Sequence, residues 1–226
     1  GITELRDVLS HDVGHKRGVN YNIENVVIQP GGKPTIWKFL ATIMNDGDEV
    51  LYPNPGYPIY ESQIRYQGGI PIPYSYSETK TGFAIDIEKL RSSITNKTTA
   101  LIYNNYQNPL SAASSESEME ELANIAIENN LWVLSDDAYY EIRYTDEPPL
   151  SIVNLHGMKE RTVILYTFSK RFAMTGWRVG ASIGPKKIIE QIARFNINDE
   201  SCTNHFIQHA LAETLKESDS NSALIL

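Results

Sequence analysis

The chain has 226 residues, 41% of them hydrophobic and 21% charged, and a formal net charge of -8; this is the balance of a soluble globular protein with one sizeable core, or one core and an appendage. The acidic excess and the lack of a dense Lys/Arg run exclude a nucleic-acid role driven by phosphate contacts. No apolar run reaches the length of a membrane span, the start lacks the layout of a signal peptide, and Cys202 is the single cysteine, so no internal disulfide can form and a reducing, cytoplasmic setting is expected.

In chain order, Thr3 can cap a helix whose apolar stripe is Leu5, Val8 and Leu9. His11 and His15 share a helix face, and His205 and His209 repeat the spacing. A zinc protease needs glutamate after the first histidine, where Asp12 and Phe206 stand, so the histidines read as solvated or structural and no metal is expected. Asn25 to Ile28 is a short buried strand. It runs through Gln29-Pro30-Gly31-Gly32-Lys33-Pro34 into an apolar helix, Thr35 to Met44. Such a glycine turn can seat an anion on free backbone amides, or be a plain connection. It is not a Walker A loop, which needs glycine where Val27 stands and Ser or Thr where Pro34 stands.

Glu49 to Tyr52 is the next strand. The prolines of Pro53 to Tyr60 then stiffen the chain and hold Tyr57 at the strand exit, to stack on a planar ligand or simply to pack. Gly69 to Tyr74 reads as a short edge strand, because proline cannot sit in the middle of a ladder. Ser75 to Gly82 reads as a polar loop, Ile85 to Leu90 as a helix start and Thr98 to Tyr103 as a buried strand. Asn104 to Ser111 is turn-like. Ser115 to Asn130 is an amphipathic helix with an acidic start, followed by the strand Leu131 to Leu134. At its end, Asp136 and Asp137 could bind magnesium or cap the next turn. Val163 to Tyr166 is a strand, Val179 to Gly184 another that closes the sheet, and helices follow from Pro185 to about Asn196 and from about Asn204 to Leu215, before a polar tail, Glu217 to Ser222. The alternation predicts a three-layer α/β/α fold with a mostly parallel central sheet, whose ligands bind at the carboxyl ends of the strands.

One stretch stands apart. Tyr166 to Arg178 places two hydroxyls and two cations among small and aromatic residues. Lys170, held among apolar neighbours, would lose hydration and keep an amine free to attack a carbonyl. Arg178 offers a planar fork for a phosphate or carboxylate. Both are otherwise ordinary surface cations. The run Ser169-Lys170-Arg171-Phe172-Ala173-Met174-Thr175-Gly176-Trp177-Arg178-Val179-Gly180 resembles the lysine segment of the class I and II aminotransferases, fold-type-I enzymes that use pyridoxal 5'-phosphate. Four more segments resemble the same family in the same order: the Gly32 turn, Pro55-Gly56-Tyr57-Pro58, Asn108-Pro109 and Ser135-Asp136-Asp137-Ala138-Tyr139.

The resemblance implies that Lys170 carries the cofactor as a Schiff base and later moves a proton as base and acid. It implies that Asp136 pairs with the pyridine nitrogen, that Tyr139 and Asn108 face the phenolic oxygen, and that Tyr57 rather than Tyr60 lies against the ring. Thr167, Ser169, Arg178 and the amides of Gly32 and Lys33 would hold the phosphate. Leu110 and Ser111 depart from the family's Thr-Gly after Asn108-Pro109.

The implied activity is transfer of an amino group between an amino acid and a 2-oxo acid, and the resemblance nearest is to bacterial aspartate aminotransferases, in which a lysine at the place of Lys33 touches a distal carboxylate. Aspartate or glutamate is therefore the expected substrate. A β-lyase acting on C–S bonds, or a non-catalytic aminotransferase-like sensor domain, shares the scaffold; no basic helix-turn-helix of a sensor is visible. By resemblance the domains divide as a helix at 1–19 joined to a large cofactor domain at 20–200, and 201–226 as a helix leading to a small C-terminal domain. In the family an arm that would precede Gly1 crosses a homodimer interface, and the small domain supplies the arginine for the substrate α-carboxylate. No arginine follows Arg194, so a large-domain fragment or a natural truncation is expected.

Overall fold

The chain runs α1 (Thr3–Arg17), β1 (Val26–Gln29), α2 (Lys33–Ile43), β2 (Glu49–Pro53), α3 (Ile59–Tyr66), β3 (Ile70–Tyr74), β4 (Tyr76–Thr79), β5 (Gly82–Ile85), α4 (Ile87–Ser92), β6 (Thr98–Asn104), α5 (Glu116–Glu128), β7 (Trp132–Asp136), β8 (Thr162–Thr167), α6 (Phe168–Arg171), β9 (Gly180–Ile183), α7 (Lys186–Asp199) and α8 (His205–Lys216). The computed structural model describes residues 1–144 and 149–217. The polar tail expected over 217–222 lies, beyond Glu217, outside the described residues.

Seven strands form one sheet in the order β1-β9-β8-β7-β6-β2-β3. β3, β2, β6, β7 and β8 are mutually parallel, and β9 runs antiparallel to both β8 and β1. The central strands are apolar on both sides because both faces are covered. Along β6, β7 and β8, Leu101, Tyr103, Val133 and Ile164 enter one core, and Ala100, Ile102, Leu134 and Val163 the other. The first core is closed by Leu5 and Leu9 of α1, Leu122 of α5 and Leu211 of α8. The second is closed by Ile36 and Phe39 of α2, Ile64 of α3 and Ile192 of α7. This is the three-layer α/β/α architecture with a mostly parallel sheet.

Four local expectations are corrected. The polar stretch 75–82 is not a loop: most of it forms the two-stranded hairpin β4–β5, with Tyr76 opposite Ile85 and Thr79 opposite Gly82. Its residues are largely exposed, so pairing rather than burial makes the strands and no apolar pattern announces them. The helix placed from Ile85 begins at Ile87, because Asp86 caps it by accepting from the Lys89 amide. The stretch after Pro58 is not simply stiffened chain. It folds as α3, burying Tyr60 and Ile64 one turn apart. The strand after Arg178 does not close the sheet but lies inside it, leaving β1 as the edge. The link from β8 to β9 contains the single-turn α6 and a short 3-10 turn, Thr175–Trp177, but no crossover helix, so the chain returns antiparallel.

β9 touches the turn after β1 backbone to backbone. A Cβ on Gly180 would lie 2.6 Å from the carbonyl carbon of Gly31 and 2.7 Å from the Tyr166 oxygen. Gly180→Ala is therefore expected to cost about 1–3 kcal/mol of stability, read from the urea midpoint; an unshifted midpoint would show that the two backbones can part without loss.

Candidate active site

Five parallel strand ends converge. β1, β2, β6, β7 and β8 deliver their following turns to one cleft of about 520 Å³. The ten residues singled out in the sequence all line it: Gly32, Lys33, Tyr57, Asn108, Asp136, Tyr139, Thr167, Ser169, Lys170 and Arg178.

At the base of the cleft, Asp136 ends β7 and is 5% exposed. Tyr60 Oη donates to its Oδ2 at 2.6 Å and the Ala138 amide to its Oδ1 at 3.2 Å. Burial pushes the Asp136 carboxyl up to about 6, against the pull of these hydrogen bonds. Among the described residues no cation pairs with it. Asp137 turns away: Arg17 Nε and Nη2 each donate to its Oδ2 at 2.8 Å, and Ser135 Oγ to its Oδ1 at 2.6 Å. The two aspartates are thus engaged separately rather than as one cation site, and Asp136 does cap its own turn. Asn104 braces the floor, donating to the Asp136 carbonyl at 2.9 Å while its Oδ1 accepts from the Asn108 amide at 2.9 Å.

One wall is the turn before α2. That helix starts at Lys33, earlier than the expected Thr35, with Gly32 at its N-cap. Its first amides have no carbonyl one turn back and carry the positive end of the helix dipole. A Cβ on Gly32 would sit 2.6 Å from Leu165 and 3.4 Å from Thr167, so only a bare backbone fits there. Arg178 closes this end. Its backbone is left-handed (φ 52°), and its guanidinium donates to the carbonyls of Thr175 at 2.7 Å and Pro30 at 3.4 Å. Thr167 Oγ1 caps α6 by accepting from the Ser169 amide at 3.2 Å.

Lys170 departs from expectation. Its side chain is exposed, and Nζ lies 5.7 Å from the Tyr139 ring centroid rather than among apolar neighbours. Tyr57 is half-buried and meets Tyr60 edge-on, with ring centroids 5.7 Å apart, and Lys33 Nζ is 5.9 Å from the Tyr57 ring. Ser111 holds a left-handed φ of 55° where the resembling family has glycine. Both histidine pairs are exposed, and among the described residues no three His, Cys, Asp or Glu side chains gather as a metal site requires.

Residues 1–224 match the family Aminotransferase class I and II. The chain belongs to this family. It is 35% identical to an aromatic-amino-acid aminotransferase of Thermococcus litoralis and 33% identical to an aspartate aminotransferase of Pyrococcus abyssi, each alignment covering 99% of this chain and 58% of the relative. It is similar to the crystal structure of an aromatic aminotransferase from Pyrococcus horikoshii OT3, with a TM-score of 0.92 and 31% identity over 99% of this chain and 61% of that one. The chain thus spans a little over half the length of the relatives it matches. No helix among the described residues is long and apolar enough to cross a membrane.

Class I and II aminotransferases generally use pyridoxal 5'-phosphate, and the residues here fit it. A buried acid without a cation suits a protonated ring nitrogen, and a bare helix N-terminus beside an arginine suits a phosphate. Residue-by-residue reading missed Tyr60, Asn104 and Arg17. The spacing of Tyr60 and Ile64 would have disclosed α3; nothing in the sequence aims the Tyr60 hydroxyl at Asp136 or pairs Arg17 with Asp137.

The raised carboxyl of Asp136 has a stability consequence. Its folded value lies above the unfolded one, so stability falls as pH rises from about 4 to about 6 and stays lower above that. Asp136→Asn is expected to stabilise the chain without cofactor by on the order of 2 kcal/mol at pH 8, with the gain gone by about pH 4, in urea melts at both values.

Proposed function

We propose that the intact protein is a pyridoxal phosphate-dependent aminotransferase that exchanges amino groups between an amino acid and a 2-oxo acid. The observation that carries this reading is Asp136, a buried acid with no cation paired to it among the described residues, lining the same cleft as Lys170 and the bare Gly32 turn. When bound, pyridoxal phosphate supplies an aldehyde that takes up an amine and a ring that accepts the electron pair left at the substrate α-carbon.

The chain's own residues account for the rest. Asp136 would hold the ring nitrogen protonated by pairing with its charge. Tyr139 and Asn108 would hydrogen-bond the phenolic oxygen, and Tyr57 would cover one ring face. The amides of Gly32 and Lys33, with Thr167, Ser169 and Arg178, would anchor the phosphate and fix the ring's position. Lys170 Nζ would be the covalent attachment point, and once released would take the α-proton and return it as general base and acid.

Lys33, at the cleft wall, favours an acidic side chain on the substrate, in keeping with the aspartate aminotransferases among the relatives; other relatives carry aromatic names. The α-carboxylate arginine and the small domain would come from sequence outside this chain, and the working form would be a cytoplasmic homodimer.

An absorbance titration with pyridoxal phosphate should give a visible band that Lys170→Ala abolishes; a band that survives the substitution would remove Lys170 from its role. Kinetics of the intact enzyme with a panel of amino acids should favour aspartate or glutamate over alanine by about tenfold or more, a preference that Lys33→Ala reduces. Equal turnover of alanine would end the argument from Lys33, and pyruvate with ammonia formed without an acceptor would indicate a β-lyase instead.

A further inference from the structure

Asp137 directly follows Asp136 and is nearly as buried, at 7% exposed against 5%. Two buried carboxylates this close repel, and the usual outcome is that one keeps its proton. The fold counters this through α1. Arg17, in the last turn of that helix and 3% exposed, donates twice to Asp137 Oδ2. Its guanidinium lies 3.7 Å from the Tyr140 ring centroid, and the Tyr140 hydroxyl reaches the Lys16 carbonyl at 2.9 Å. The arginine is held on both sides. On the opposite flank of Asp136, Tyr60 is fully buried, and burial keeps its phenol protonated well above the usual range, so it remains a donor.

We propose that Arg17 and Tyr60 are positioning residues that act through Asp136 and keep it an anion at neutral pH. Arg17 does so by cancelling the Asp137 charge, and Tyr60 by hydrogen-bonding the ionised carboxyl. The other charged or titratable groups around Asp136 are Tyr139 on its own segment, Lys33 at the head of α2, Tyr57 before α3, Lys170 on α6 and Arg178 before β9. Among the described residues none of these is hydrogen-bonded to it. The proposal rests on the cofactor reading only for its purpose, since a protonated ring nitrogen needs an anion.

The protonation of Asp136 can be read without cofactor, by carboxyl carbon-13 NMR of aspartate-labelled chain, with Asp136→Asn identifying the resonance. Tyr60→Phe is expected to raise the Asp136 midpoint by about one pH unit or more. Arg17→Met should raise it as well, with the two acids titrating as a coupled pair. Arg17→Met/Asp137→Asn should return it towards wild type although Arg17 is still absent, which a purely structural role would not do. Should Arg17→Met not fold, Asp137→Asn alone, which leaves Arg17 unopposed, should lower the midpoint. Unmoved midpoints, or a double variant as displaced as the single one, would overturn the proposal. Pyridoxal phosphate affinity should fall with the ionised fraction, approaching about tenfold for each unit by which a midpoint exceeds the working pH. A wild-type chain with no Lys170-dependent band would defeat the cofactor reading while leaving the NMR result to stand or fall by itself.

Discussion

A carboxyl group buried at the end of an interior strand, with no cation paired to it among the described residues, is the feature around which this molecule is arranged. Asp136 is flanked on β7 by Asn104 of β6 and Leu165 of β8. Its hydrogen bonds come from neutral donors, Tyr60 and the Ala138 amide. Burial without a counter-charge is costly, and such a site is retained where a ligand brings the missing charge. The same strand spends its second acid differently: Asp137 meets Arg17 on the other face. One dipeptide therefore carries an acid kept open to the cleft and an acid neutralised within the fold.

The sheet explains why residues from five separated segments meet. Parallel strands put their carboxyl ends on one edge, so every turn that follows a strand opens towards the same cleft. The turns differ in what they offer: bare amides from the first, an aromatic from the second, an amide side chain from β6, the acid from β7 and the lysine from β8. The lysine turn is tied to the body through its neighbour. Arg171 is buried, donating to Asp12 of α1 at 2.7 Å and to the Tyr166 hydroxyl at 3.0 Å. Burial alone would raise the Asp12 carboxyl, but Arg171 and Lys16 outweigh it and hold the carboxyl below its usual range. α1 thus grips the residue after Asp136 and the residue after Lys170 with two ion pairs from one helix.

Much of this was legible from local pattern. Apolar runs bounded by turns gave away the central strands, and prolines marked β3 as an edge. The hairpin β4–β5 was not legible, since its strands are polar and stabilised by each other. α3 was overlooked behind its prolines, although Tyr60 and Ile64 stand at helical spacing. In the cleft, Tyr57 and Tyr60 both line the wall: Tyr57 is half-buried, while Tyr60 is buried with its hydroxyl on Asp136, a partnership no local pattern discloses. Lys170 carried an expectation of apolar surroundings that the exposed side chain does not meet, because α6 is a single turn at the rim of the cleft.

The amino-acid sequence by itself determined the layered fold, which follows from strand periodicity and turn chemistry, while the family and the roster of residues at the cleft came from the resemblance of five segments to known aminotransferases. Only the tertiary structure decided which side chains act in pairs. Arg17 and Asp137, Tyr60 and Asp136, and Asp12 and Arg171 are each far apart in the chain, and no local rule couples them. Their partnerships exist because the sheet and α1 are packed in one register, and burial makes each unpaired alternative costly.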